Sequence, residues 1–143
     1  MRALMTGATG FIGSHLLELL LQNGEDVAIV VRKTSDRWRI NNILQSTCII
    51  EGDIQNIEEL SDPIKDFSPD TVIHLAWNGI TSQERGNAKQ VEQNLMPTLA
   101  LIKLAIKIGA KLFIGLGSQA EYGLKKGIIK ENAVANPVSM YGA

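Results

Sequence analysis

At 143 residues, with 45% hydrophobic and 20% charged residues, the chain has the size and composition of one soluble globular domain. A net charge of −1 gives no general attraction to nucleic acid or an anionic membrane. The single cysteine, Cys48, excludes an intrachain disulfide and a cysteine metal cluster, and two histidines support a zinc site poorly, so no metal is expected. Because we find neither a signal peptide nor an apolar span of 18 or more residues, the sequence predicts a reduced, cytoplasmic protein.

The first third of the chain alternates short apolar runs with helical patterns. Residues 2–6 predict a strand, and apolar residues spaced by three and four over 12–21 predict a helix that an asparagine–glycine pair ends. The run VAIVV (27–31) predicts a strand buried on both faces. A polar segment over about 38–45 is expected to be helical, and 48–51 predicts a third strand.

The alternation continues through the rest of the chain. The sequence predicts a short helix at 56–67, a strand at 71–76, a long helix at 86–109 and a strand at 111–116, followed by a polar loop. Pro63 is expected to interrupt the short helix and Pro97 to kink the long one. Strands alternating with helices imply right-handed crossovers, so the expected fold is an α/β doubly wound parallel sheet of strand order 3-2-1-4-5.

Three glycines occupy the first strand-to-helix turn, within TGATGFIG (6–13). In a Rossmann fold the first glycine permits the tight turn, the second lets the backbone approach a pyrophosphate, and the third lets helix and strand pack closely. Gly7, Gly10 and Gly13 suit these roles, and the helix N-terminus offers N–H groups to phosphates. Spaced glycines alone could form an ordinary turn; the strand before, the helix after and the next strand make the dinucleotide interpretation specific.

The motifs follow the order found in the extended short-chain dehydrogenase/reductase family, the NAD-dependent epimerase/dehydratases of nucleotide sugars, and the resemblance covers the whole chain. TGATGFIGSHL (6–16) resembles the cofactor fingerprint, EGDIQN (51–56) the segment that flanks the adenine, and DTVIHLAW (70–77) the strand that lines the cofactor. GSQAEYG (117–123) resembles the segment that supplies the catalytic serine or threonine. NPVSMYG (136–142) resembles the start of the tyrosine–lysine motif.

The resemblance implies site residues, each with a plainer alternative. The implied cofactor-binding residues are Gly7, Thr9, Gly10, Phe11, Ile12, Gly13, Asp53, Ile54, Leu75, Ala76, Trp77, Asn94 and Tyr141. The implied catalytic residues are Ser118 and Tyr141, although Tyr122 competes with Tyr141. Asp53 could instead cap a turn, and His74 on its apolar strand is interpreted as a core or near-cofactor histidine rather than a base.

Hydride transfer to a nicotinamide requires a base that takes the proton from the alcohol. A tyrosine can serve where positive charge favours the phenolate, and in this family the nicotinamide and a lysine four residues after the tyrosine provide that charge. That lysine would be at position 145, beyond Ala143. We therefore interpret residues 1–143 as an incomplete NAD(P)-binding Rossmann domain, an N-terminal fragment without the later strands and the substrate domain, and expect little or no turnover.

A non-catalytic NADP-binding sensor or regulatory module is the alternative. Such a protein would have no chemical need for Ser118 and Tyr141, so their presence favours the enzyme. A nucleotide sugar is the expected substrate of the full-length form, and the GSQAEYG segment favours a reductase or dehydratase over an epimerase. Relatives dimerise through the helix before strand five, so a homodimer is possible. The short basic run 32–39 is interpreted as a solvated loop rather than a nucleic-acid site.

The end of the second strand bears on cofactor choice. NAD-preferring relatives carry an acidic residue there, whereas this chain has Val31 followed by Arg32 and Lys33. A guanidinium can pair with the 2′-phosphate of NADP, so the sequence predicts NADP, with Lys33 or Ser35 assisting Arg32. NAD stays possible, because the two basic residues could form only a solvated turn and Asp36 could be a displaced ribose ligand.

Overall fold

The computed structural model describes residues 1–143, which divide into two compact units. The first consists of Met1–Ala76 and Pro97–Leu116, and the second of Trp77–Met96 and Gly117–Ala143. The first unit contains a five-stranded sheet in which every pair of neighbouring strands is parallel. Its strand order, β3-β2-β1-β4-β5, confirms the order predicted from the sequence.

The sheet brings the ends of its strands to one edge. The strands are β1 (Arg2–Thr6), β2 (Asp26–Val31), β3 (Cys48–Glu51), β4 (Thr71–His74) and β5 (Leu112–Gly115). The central strand β1 places Leu4 opposite Ala28 of β2 and opposite Val72 of β4. Because parallel strands all end at the same edge, the segments that follow β1, β2 and β4 lie together there.

Each face of the sheet is covered by its own apolar cluster, because successive side chains of a strand point to opposite faces. The helices are α1 (Phe11–Gln22), α2 (Ser61–Phe67) and α3 (Met96–Lys107). Leu17 of α1 packs with the strand residues Ala3, Met5, Val27, Ile29, Val31 and Ile73. Ile64 of α2 and Leu101 and Leu104 of α3 pack with Leu4, Ala28, Val30, Ile50 and Val72. Full burial of each large aliphatic side chain contributes roughly 1.5–3 kcal/mol.

The helix predicted over 38–45 is wrong. Those residues form consecutive turns, in which the Ile40 N–H donates to Arg37 and the Ile43 N–H to Ile40, and only Leu44–Ser46 makes a 3₁₀ turn. Ile40 is fully buried in the α1-side cluster, with Ile43 packed beside it. Burial of Ile40 and Ile43 therefore determines the turn conformation of this segment, and Asn41 and Asn42 between them favour turns over helix.

The next predicted helix begins earlier than expected and its break lies elsewhere. Ile54–Leu60 is a 3₁₀ segment with non-helical backbone at Asn56, and it leads directly into α2. Pro63 does not interrupt the helix, because it is the third residue of α2 and lies in its first turn. In the first turn of a helix a missing N–H costs no intrahelical bond.

The long helix begins at Lys89 rather than at Gly86, and the Asn87 side chain accepts the Lys89 N–H at 2.9 Å. Val91–Leu95 is a π-helical turn that leads into α3, and the Met96 N–H donates to the carbonyl of Val91, five residues back. The expected distortion at Pro97 thus takes the form of a widened turn just before the proline.

Three smaller differences complete the fold. β4 ends at His74, two residues before the predicted end, and β5 is shorter at both ends. The segment after β5 is not entirely a loop, since Gln119–Tyr122 forms a 3₁₀ turn. No helix in the structure combines the length and the apolar character needed to cross a membrane.

Candidate functional site

The turn after β1 requires glycine at its first position. Gly7 has φ +74°, in the left-handed region that favours glycine. A Cβ there would lie 2.7 Å from the backbone nitrogen of Ala76 and 2.7 Å from the carbonyl carbon of Leu75. The turn therefore lies directly against the backbone that leaves β4, without room for a side chain.

The start of α1 lies equally close to this turn. A Cβ on Gly13 would be 2.1 Å from the carbonyl oxygen of Gly7, which also accepts the Gly10 N–H at 3.0 Å. No side chain caps the helix at Gly10, and its first turn has no acidic residue. The exposed Phe11 and Ile12 follow, with Thr9 half-buried before them. A positive helix end behind a glycine-rich turn fits a phosphate group.

The carboxylates around the end of β2 already have partners. Asp36 accepts the backbone N–H two residues further on at 3.0 Å, and Glu51 forms an ion pair with Arg37 at 3.0 Å. Arg32 and Lys33 are exposed and form no ion pair. The electrostatics of this strand end therefore favour an anion.

Asp53 caps a turn, which was the simpler of the two roles expected for it. Its carboxylate accepts the Gln55 N–H at 3.0 Å and so caps the 3₁₀ segment that follows β3. The next side chain, Ile54, is buried in the cluster on the α2 and α3 side of the sheet. The roles of both residues beside an adenine stay predictions.

His74 is a buried histidine at the end of β4, as its apolar strand indicated. Its Nδ1 lies 2.7 Å from the Thr6 hydroxyl and its Nε2 lies 2.9 Å from the Thr98 hydroxyl. The Thr6 hydroxyl also accepts the Ala76 N–H at 3.3 Å. Burial lowers the pKa of His74, which favours the neutral ring. The histidine thus links the strand that enters the glycine turn to α3.

Stability should depend on pH through His74. Below about pH 6.5 the histidine of the unfolded chain takes a proton before the folded one does, so the free energy of unfolding should fall as the pH falls below 6.5, by at most about 1.4 kcal/mol per pH unit, until the folded histidine is protonated as well. Denaturant unfolding at several pH values measures this slope. His74→Gln should flatten it and His15→Gln, at an exposed histidine, should not; an unchanged slope in His74→Gln would contradict the assignment.

In the second unit, Asn94 fastens the segment that follows β4. It is 1% exposed, and its amide accepts the Asn78 N–H at 2.7 Å and donates to the Asn78 carbonyl at 3.0 Å. It also donates to Gln90 at 2.9 Å. Asn94 therefore has a structural role in the second unit, and the cofactor-binding role that the resemblance implied for it stays a prediction.

Gln90 extends this network and was missed in the sequence. Its side-chain oxygen accepts the Trp77 indole N–H at 2.9 Å, and its nitrogen donates to the Gly79 carbonyl at 2.7 Å. Gln90 lies four residues before Asn94, which places both on one helical face, and this spacing could have identified it. Gln90 therefore fixes Trp77.

The segments that carry Ser118 and Tyr141 pack against each other. Ser118 accepts the Ala120 N–H at 3.2 Å and caps the turn Gln119–Tyr122. A Cβ on Gly142 would lie 2.5 Å from the Ala120 carbonyl oxygen, so this turn lies directly against the residue after Tyr141. The structure thus brings together the two segments identified in the sequence.

Arg85, which the sequence did not identify, contacts Tyr141. Its carbonyl accepts the Tyr141 N–H at 2.9 Å, and its guanidinium carbon lies 5.0 Å from the centre of the tyrosine ring. Trp77 contacts the same ring edge to face, with centroids 6.0 Å apart. No local pattern marks Arg85, because its partner is distant in the sequence.

Tyr122 is poorly suited to act as a base. Hydrogen bonding to the Glu121 carboxylate raises the pKa of Tyr122, with lesser contributions from desolvation and from the charges of Glu121 and Glu131. A raised pKa disfavours the phenolate that proton abstraction requires.

Comparison of the sequence with known proteins gives one family. Residues 3–143 match the model of the NAD dependent epimerase/dehydratase family. The UDP-glucose 4-epimerase of Klebsiella pneumoniae is 33% identical over 131 residues, which cover 86% of this chain and 93% of that protein. The chain spans less than half the length of other curated relatives that it matches.

Solved structures agree with this result. The UDP-glucose 4-epimerase of Thermotoga maritima, solved with UDP-glucose, superposes with a TM-score of 0.84 at 30% identity and matches 99% of this chain and 47% of that one. The Bordetella bronchiseptica enzyme WbmG, solved with NAD and UDP, gives a TM-score of 0.82 at 25% identity and matches 99% of this chain and 46% of that one.

Proposed function

Because the chain belongs to the NAD dependent epimerase/dehydratase family, we propose that it binds a nicotinamide dinucleotide and takes part in the conversion of a nucleotide sugar. The observation that carries the proposal is the close backbone packing at Gly7 and Gly13, which leaves no room for a Cβ and holds the uncapped N-terminus of α1 against the turn that follows β1. UDP-glucose and UDP in the solved relatives support the substrate class. Since the named relatives include 4-epimerases, they favour an epimerase over the reductase or dehydratase expected from the sequence.

The chain's own residues would hold the dinucleotide as follows. The glycine turn and the uncapped N–H groups of the first turn of α1 would bind the pyrophosphate. Arg32 and Lys33 would bind the adenosine end, and their unpaired charges favour a 2′-phosphate there. We therefore propose NADP as the preferred cofactor. A bound nicotinamide would supply the group that accepts and returns a hydride.

Ser118 and Tyr141 are the proposed proton-handling pair. Ser118 accepts one backbone N–H, which leaves its O–H able to donate to a substrate oxygen. Tyr141 would take the proton of the substrate hydroxyl through its phenol oxygen. The packing of their two segments supports this assignment. The Glu121 carboxylate, which raises the pKa of Tyr122, argues against the competing tyrosine.

Titration of the 143-residue chain with NADPH and NADH by calorimetry tests the proposal. We expect NADPH to bind at least about tenfold more tightly, equivalent to about 1.4 kcal/mol, because a guanidinium–phosphate pair is a charge-assisted hydrogen bond. Arg32→Ala should remove the preference and leave NADH binding unchanged. Arg39→Ala is the matched control, because that guanidinium stacks 4.3 Å from the Trp38 ring centre.

The outcomes separate the two parts of the proposal. Preference for NADH would contradict the 2′-phosphate assignment and retain the dinucleotide site. Binding of neither dinucleotide would contradict the site itself.

A further inference from the structure

The ring of Tyr141 is contacted by two groups that are themselves hydrogen-bonded. The Arg85 guanidinium carbon lies 5.0 Å from the ring centre, and the Trp77 ring stands at 90° to the tyrosine ring. The Arg85 carbonyl also accepts the Tyr141 N–H at 2.9 Å. Arg85 therefore constrains both the backbone and the side chain of the same residue.

Arg85 is held independently of Tyr141. Its Nε donates to the Ile80 carbonyl at 2.9 Å, and its backbone N–H donates to the Thr81 carbonyl at 3.1 Å. Arg85 forms no ion pair, so no carboxylate competes with the aromatic face for its charge. The guanidinium is planar, and its Nε hydrogen bond to the Ile80 carbonyl accompanies its placement over the ring.

The contact with Trp77 is also constrained. The Trp77 indole N–H is bound by Gln90, which is 5% exposed and is hydrogen-bonded in turn to the buried Asn94. Rotation of the indole would remove one of the two donors of the buried Gln90 oxygen, the other being the Asn94 amide. Trp77 thus provides a second contact to the Tyr141 ring, held in place by Gln90.

We propose that Arg85 is a positioning residue for Tyr141, directing its phenol by the guanidinium on the ring and the carbonyl on the backbone. The proposal rests on the proposed proton-transfer role of Tyr141. Orientation matters for such a role, because misplacing a reacting group by about 1 Å can cost on the order of 100-fold in rate.

Nuclear magnetic resonance of the 143-residue chain labelled with ring-¹³C tyrosine tests this inference. The chain has two tyrosines, so Tyr122→Phe assigns both signals. The ring current of Trp77 should displace the Tyr141 ring signals from those of free tyrosine. Arg85→Met should remove most of this displacement, and Arg85→Lys, which keeps the positive charge, should restore part of it.

Arg39→Met is the matched control, because Arg39 also lies over an aromatic ring, that of Trp38, and should leave Tyr141 unchanged. Unchanged Tyr141 signals in Arg85→Met, or an equal loss in Arg39→Met, would overturn the proposal. If Arg85→Met does not fold, Arg85→Lys tests the proposal instead. A displacement of the Tyr141 ring signals smaller than in the parent chain supports a role for the guanidinium, and a displacement equal to that of the parent chain overturns the proposal. The measurement needs no dinucleotide, so a constrained ring in a chain that binds neither dinucleotide would contradict only the proposed function.

Discussion

Gly13→Ala is expected to destabilise the chain and abolish dinucleotide binding, although glycine-to-alanine changes inside helices ordinarily stabilise by about 0.5–1 kcal/mol. The new Cβ would lie 2.1 Å from the Gly7 carbonyl oxygen and 2.9 Å from the Cα of Ala8. Both are backbone atoms, so the turn and α1 must separate. Overpacking of this kind costs roughly 1–3 kcal/mol, which reverses the usual sign.

Denaturant unfolding and calorimetric titration with NADPH measure the two effects of Gly13→Ala. Gly86→Ala is the matched control, because a Cβ at Gly86 meets nothing within 4 Å and Gly86 does not have positive φ. The control should unfold and bind like the parent chain. A Gly13→Ala chain that is more stable than the parent and binds NADPH normally would contradict the close approach on which the proposed site depends.

Asn94→Ala should lower the free energy of unfolding by about 2–4 kcal/mol, because it leaves buried polar groups without partners. The Asn78 N–H and carbonyl would both lose their partner, and Gln90 would lose one of its donors. Since Gln90 holds the Trp77 indole, the loosened segment should also change the fluorescence of Trp77.

Unfolding of Asn94→Ala by denaturant, with Trp77 fluorescence followed in a Trp38→Phe background, tests this expectation. Asn42→Ala makes the same chemical change at an exposed position and should shift stability by less than about 0.5 kcal/mol. Equal effects of the two substitutions would show that the hydrogen bonds of Asn94 contribute little.

The sheet could be predicted because its signals are local. β1 and β3 have the predicted bounds, since each is a short apolar run next to residues that end a strand. The segment 38–45 failed because burial of Ile40 by tertiary contacts determined its conformation. The π-helical turn Val91–Leu95 was equally beyond prediction, because a proline indicates a distortion and does not specify its form.

The candidate site divides in the same way. Gly7 and Gly13 could be identified because close backbone approach admits only glycine, and that restriction is visible in the sequence. Arg85 could not be identified from the sequence, because its role depends on contact with Tyr141, 56 residues later in the chain. The same holds for Thr98, whose partner His74 is 24 residues away.

The central position of β1 has a consequence for how the chain folds during synthesis. Ala3 pairs with Thr71, so β1 leaves the ribosome 68 residues before the strand that covers its second edge. At about 5–20 residues per second this delay is on the order of 3–14 s. During that time an apolar strand with an open edge is available for aggregation, and such long-range parallel pairing is intrinsically slow. Nascent chains of this topology should therefore depend on protection by chaperones until β4 has emerged.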